Sequence, residues 1–240
     1  ALVDLVLMAG QAALMLNMPL KRTWADLSSI KPGEMDKDLL HSVVEQHSTG
    51  LDLIASPTYP SEAETLSAQL FNESLRLMKP IYDYVVADLP HDFNEIAISA
   101  LDNSDLILLV IAPEISSIRA AAAALDTYSK LEYPPEKIKL VLNYIFPRFG
   151  LPRERIENAL GKAVTISLPY SPDTVIQSIN LGTPLVINEP DARISTLIED
   201  FAFYLSSDKQ KKIRPEKPTE AWKRMYNRFI QARKDREKKG

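Results

Sequence analysis

Six short apolar runs recur along the chain, at 2–7, 51–56, 84–88, 106–112, 138–145 and 164–168. Each is β-branched or Leu-rich and bounded by turn residues, the signature of strands. Between and after them lie longer amphipathic stretches with helical spacing, at 36–46, 61–78, 94–101, 117–131, 152–160, 172–180 and 192–205. Ser61 followed by Glu64 has the form of a capping box, and Pro152 and Pro172 suit the first turn of a helix. Strands apolar on both faces and separated by helices predict a doubly wound α/β fold, with one mainly parallel sheet covered on both sides. After Leu205 the pattern breaks. Residues 206–218 are polar, basic and Pro-punctuated and read as a linker, and 219–240 resume a helical period. That last stretch carries Trp222, Met225, Tyr226, Phe229 and Ile230 on one stripe. Lys223, Arg224, Arg228, Arg233, Lys234 and Arg236 occupy much of the rest. The expected organisation is one α/β domain over 1–205, a linker over 206–218 and a basic amphipathic tail over 219–240.

Composition narrows the picture. The chain has 240 residues, 45% of them apolar, which is ample for one buried core. Without cysteine there is no disulfide frame, no thiol nucleophile and no thiolate zinc site, in keeping with a cytoplasmic setting. The longest apolar run, 106–112, is far short of the ~20 residues a membrane-spanning helix needs. The opening Ala-Leu-Val-Asp-Leu-Val-Leu lacks a basic leader and reads as a strand cut from something longer, not as a signal peptide. Charge is unevenly spread. Residues 1–206 carry 15 Lys and Arg against 27 Asp and Glu, a net −12, whereas the last 34 carry 13 against 5, a net +8. An acidic body argues against a broad nucleic-acid surface, so an anionic partner is expected to meet the tail.

The richest chemistry is in Tyr82–Pro90. There an apolar run ends in a single carboxylate, Asp88, and Pro90 stops the strand. An acid at the carboxyl end of a buried strand suits a water-mediated magnesium site beside a phosphate. Asp4 and Asn143 fall at or near the ends of their own strands, where ligands of such sheets gather. The plainer alternatives are that Asp88 caps the following turn and that Asn143 closes its strand. The Gly-rich cradle that a phosphate site requires is nowhere in the sequence.

Taken in order, these segments resemble the CpaE/TadZ group of the MinD/ParA-like ATPases, a deviant-Walker branch of the P-loop proteins. Val3-Asp4-Leu5 with Gly10–Leu14 is similar to that group's switch-I stretch. Lys21–Leu27 and Gly50–Pro57 match its next landmarks, and Tyr82–His91 resembles its Walker-B and switch-II strand. Leu140-Val141-Leu142-Asn143 is similar to the strand presenting an adenine-reading Asn. Leu168–Asp173 with Asn180–Leu185 resembles the closing signature around the base. The likeness runs from residue 1 to about 205, with landmarks in register. It implies ATP and Mg²⁺ as ligands of the full-length parent. Asp88 would hold the metal through water, Asn143, Pro169 and Pro172 would meet the base, and Asp4 would be a switch-I acid.

The resemblance also implies a nucleotide-dependent homodimerising switch for Flp/Tad type IV pilus assembly or polar localisation. Its partners would be pilus or polar-scaffold proteins, with peripheral contact at the inner membrane or cell pole. Alternatives are a MinD/ParA-type division-site or DNA-segregation ATPase, or an interaction module that keeps the fold without nucleotide.

Departures from the group temper that expectation. Its members carry a lysine-bearing Gly-rich loop ahead of the Asp4 strand. Such backbone N–H groups and lysine hold the phosphates, so this chain alone is expected to bind nucleotide poorly or not at all. Val6 replaces an acid that orients the attacking water in hydrolysing relatives, Gln11 stands where Asp is usual, and Leu89 where Thr is usual. A slow or degenerate ATPase is the expectation. Other catalytic classes are disfavoured: His41, His47 and His91 have no ligand spacing, and no Gly-x-Ser-x-Gly elbow occurs. The tail could lie on an anionic membrane, dock a partner, or pack on its own domain.

Overall fold

The computed structural model describes residues 1–240 apart from 32, 60, 63–65, 217 and 238–240, and leaves out the side chains of 233 and 235–237. The chain divides into two compact units, 1–104 with 179–183, and 105–178 with 184–240. The α/β character and mainly parallel pairing are as expected. The strands, however, form two ladders and not a single sheet.

In the first unit the order is β2 (Glu45–Gln46), β3 (Asp52–Ile54), β1 (Leu2–Asp4) and β4 (Val86–Asp88). β1 is central, parallel to both β3 and β4, and β2 joins as a short antiparallel edge. Helices α1 (Ala12–Met15), α2 (Lys37–Ser42), α3 (Ala68–Met78) and α4 (Glu95–Asn103) complete the unit. Val3, Leu5, Trp24, Ile54, Phe71 and Met78 anchor its core. Trp24 opens a 3₁₀ turn fixed by Thr23 and Asp26 in a reciprocal cap, and packs edge-on against Phe71.

Two helix boundaries in this unit differ from the sequence reading by more than two residues. The helix expected at 36–46 ends at Ser42, because Glu45 and Gln46 pair with β3. The helix expected from Ser61 begins instead at Ala68, where the Ser67 hydroxyl accepts the Leu70 N–H. Glu64 of the expected capping box lies outside the described residues.

In the second unit β5 (Ile107–Ile111), β6 (Ile138–Asn143) and β7 (Val164–Leu168) run parallel with β6 in the middle. Helices α5 (Ile115–Lys130) and α6 (Arg153–Leu160) belong here, and Ile111, Ile118, Leu140, Leu142 and Ile156 form the core. α7 (Pro172–Leu181) and α8 (Leu185–Asn188) lead to α9 (Arg193–Leu205). The stretch expected to be a plain linker contains α10 (Asp208–Lys212), capped by Ser207.

The basic tail is α11 (Glu220–Glu237), and it is laid against α9. Met225 is buried, and Phe229 meets Phe203 edge-on at 4.9 Å between ring centroids. Glu199, its side chain only 3% exposed, is bonded by Arg224 and Arg228, and Arg228 also pairs with Asp200. Arg224 donates a further bond to the Val186 carbonyl. Of the three roles open to the tail, packing on its own domain is the one seen. Arg233 and Arg236 of the expected basic face have side chains outside the described set.

Candidate functional site

The parallel register of β1 and β4 sets Asp4 opposite Asp88 at the carboxyl ends of neighbouring strands. The two residues have opposite surroundings. Asp4 is 1% exposed, and its carboxylate accepts hydrogen bonds from the Val6 N–H, the Ala12 N–H and the Ser56 hydroxyl, at 3.1, 3.1 and 3.3 Å. Its backbone carbonyl accepts the Trp24 indole N–H at 3.1 Å. Each of those bonds ties a different part of the chain to one buried charge. A buried carboxylate needs such donors, since an unpaired one costs several kcal/mol.

Gly10 closes the loop that follows. A Cβ there would lie 2.0 Å from the Ser56 hydroxyl oxygen and 2.4–2.5 Å from the Asp4 carboxylate oxygens. Only glycine lets backbone approach this carboxylate so closely. Asp4 thus folds the loop from Val6 to Ala12 around itself. The sequence reading singled out Asp4 but missed Ser56 and Gly10 as its partners. A glycine soon after a strand-end aspartate is the one signal that could have pointed to them.

Asp88 is exposed, and its backbone carbonyl accepts the Leu5 N–H at 2.9 Å. Its carboxyl group titrates above the ordinary aspartate value. Partial desolvation is the larger cause, and the neighbouring Asp4 carboxylate adds to it. An accessible carboxylate beside a second, buried one disfavours its own negative charge. A cation held through water would relieve that repulsion, so the residues present suit the outer sphere of a hard divalent ion. Among the described residues no three His, Cys, Asp or Glu side chains converge as a direct metal cage.

In the second unit, Asn143 is the last residue of β6 and pairs in register with Leu168 at the end of β7. The Tyr144 N–H is bonded to the Leu168 carbonyl, which holds the two strand ends together. The Asn143 amide has no side-chain partner among the described residues and offers both a donor and an acceptor. Pro169 follows β7 directly, and Pro172 is the first residue of α7, where its fixed φ costs nothing. The expected site residues therefore fall into two groups, Asp4 with Asp88 and Asn143 with Pro169 and Pro172. Each group lies at the carboxyl ends of parallel strands in its own sheet.

No known family model matches the chain. The septum site-determining protein MinD of Thermotoga maritima is 24% identical over 144 residues, covering 58% of this chain. That match spans 52% of the relative, so the chain aligns with about half of its length. Among solved structures, a ParA family ATPase from Chlorobium tepidum superposes with a TM-score of 0.78 at 24% identity, covering 85% of each chain. The MinD protein of Pyrococcus horikoshii, solved with Mg-ADP, superposes with a TM-score of 0.74 at 18% identity, covering 90% of this chain and 86% of that one. The chain has the fold of the MinD/ParA ATPases.

Proposed function

We propose that the chain is the greater part of a nucleotide-dependent switch of the CpaE/TadZ kind, serving Flp/Tad type IV pilus assembly or polar localisation. The observation that carries the nucleotide reading is the pairing of buried Asp4 with accessible Asp88 at adjacent strand ends. In this reading Asp88, in the first unit, would orient water around Mg²⁺, and Asn143, Pro169 and Pro172, in the second, keep the base-meeting role that the resemblance implies. The ion would neutralise phosphate charge. Asp4 keeps the switch loop folded through the Val6 and Ala12 N–H groups, and so acts as a positioning residue with its oxygens already engaged.

The reading includes an upstream strand and a lysine-bearing Gly-rich loop that complete the site. Support comes from β4, whose outer edge has no strand partner among the described residues and leaves Val86 57% exposed. An apolar edge left open invites another strand. ATP would then favour a homodimer, and partner affinity would differ between nucleotide states. Val6, at the place of a water-orienting acid, fits slow turnover.

Likeness to MinD supports a second reading, a division-site or segregation ATPase. A receiver-like domain encoded upstream separates the two, being expected only for the pilus protein. The test is ATP binding by the chain extended with its natural upstream sequence. Micromolar affinity in the extended protein and none in this chain is expected. An extended protein that ignores ATP would leave the interaction-module alternative standing.

A further inference from the structure

The loop after β6 carries the most exposed large apolar side chain among the described residues. Phe149 is 103% exposed and holds a left-handed backbone, φ +65°. A bulky residue rarely adopts that conformation without support, because its Cβ crowds the backbone. The support is visible at the base of the loop. The Leu151 N–H donates to the Pro113 carbonyl at 2.8 Å, and Gly150 lies so close to Pro113 that a Cβ would meet its ring at 3.0 Å. Phe149 is thus projected from an anchored turn and is not left on a loose one.

Its neighbours share the character. Ile145 and Phe146 are substantially exposed in the same loop, and Ile115 is 76% exposed two residues beyond Pro113. The stretches 112–125 and 143–156, joined by the Leu151–Pro113 bond, hold four arginines and two glutamates. They are net positive inside a 1–206 body of net −12. Arg148 stands beside Phe149, and Arg119 lies one helical turn beyond Ile115, on the same face of α5. Neither arginine has an ion-pair partner among the described residues. Glu114 is engaged by the Ser116 hydroxyl, and Arg153 by Glu157.

A convex apolar tip flanked by unpaired cations needs no shaped pocket to be covered. It matches the interfacial zone of an anionic lipid surface, where rings enter the acyl boundary and guanidinium groups stay among headgroups. The apolar stripe of α11, the other candidate for such contact, is turned toward α9. The geometry points to the 145–149 loop, with Ile115, as an anionic-membrane contact of this chain, independent of the nucleotide reading.

The test is co-sedimentation of the full 240-residue chain with phosphatidylcholine vesicles, with and without an equal part of phosphatidylglycerol. Binding to the anionic vesicles is expected. Phe149→Ser should weaken it about tenfold, as loss of one inserted ring implies. Arg148→Glu should weaken it about tenfold or more at low salt, since one attraction is lost and one repulsion gained. Phe149 packs against nothing, so an unchanged melting temperature will verify that Phe149→Ser is folded. Failure of the wild-type chain to sediment with anionic vesicles would overturn the proposal, and would turn attention to a protein groove as the cover for Phe149. So would binding that survives Phe149→Ser but disappears in Trp222→Ser, because the contact would then be α11.

Discussion

Asp4 and Glu199, the most deeply buried carboxylate of each unit among the described residues, are satisfied in contrasting ways. Asp4 is held by two backbone N–H groups and a hydroxyl, and no cation approaches it among the bonds described. Glu199 is held by the guanidinium groups of Arg224 and Arg228, from a helix 25 or more residues later in the chain. Neutral donors on a folded loop leave Asp4 a net negative charge that its neighbour Asp88 registers. Arg224 and Arg228 balance the charges of Glu199 and Asp200, so the seam is electrically quiet. The first arrangement shapes a site that can still attract a cation, and the second closes a structural joint.

That contrast can be broken at either end. Asp4→Ala is expected to have the largest effect, because it strands the Val6 and Ala12 N–H groups and the Ser56 hydroxyl and removes the carboxylate against which Gly10 packs. A loss of about 3–4 kcal/mol in denaturant unfolding would fit several buried bonds lost together. Asp4→Asn should recover part of it by keeping an acceptor oxygen. Glu199→Ala should cost about 1–3 kcal/mol, less than a fully buried pair, because Arg224 and Arg228 are about 30% exposed and can turn to water. A double-mutant cycle of Glu199→Ala with Arg224→Ala should give a clear coupling energy, whereas Asp4→Ala with Glu199→Ala should be additive.

The smallest effect concerns Glu157, whose pKa is lowered first by the Val164 N–H and then by Arg153. A depressed folded-state pKa contributes stability above the unfolded value, near 4.5, and loses it as pH falls through the folded value. Glu157→Gln should therefore flatten the acid limb of the stability curve and leave its slope near neutrality unchanged.

Much of the fold was legible because the strands are short, apolar and punctuated. Leu2–Asp4, Ile107–Ile111 and Val164–Leu168 lie inside runs readable from hydrophobic pattern alone. Glu45–Gln46 was not readable, since a polar pair becomes a strand only by bonding to Asp52 and Leu53. The start of α3 was misread because Ser61 and Ser67 offer the same local signal. At the site, Asp88 and Asn143 announced themselves by ending apolar runs. Ser56 lies 52 residues from Asp4, and no local pattern links them. Glu199 looked like any polar residue of an amphipathic helix. Its burial depends on where α11 lands, which is a matter of tertiary packing.

The central claim is that the Asp4–Asp88 strand ends form the magnesium side of a nucleotide site. Its most direct test is the Mg²⁺ dependence of ATP binding by the upstream-extended protein, compared with Asp88→Asn in the same protein. The account predicts that the variant stays folded and needs at least about tenfold more Mg²⁺ for half-maximal binding. An identical Mg²⁺ requirement in the two proteins would contradict it.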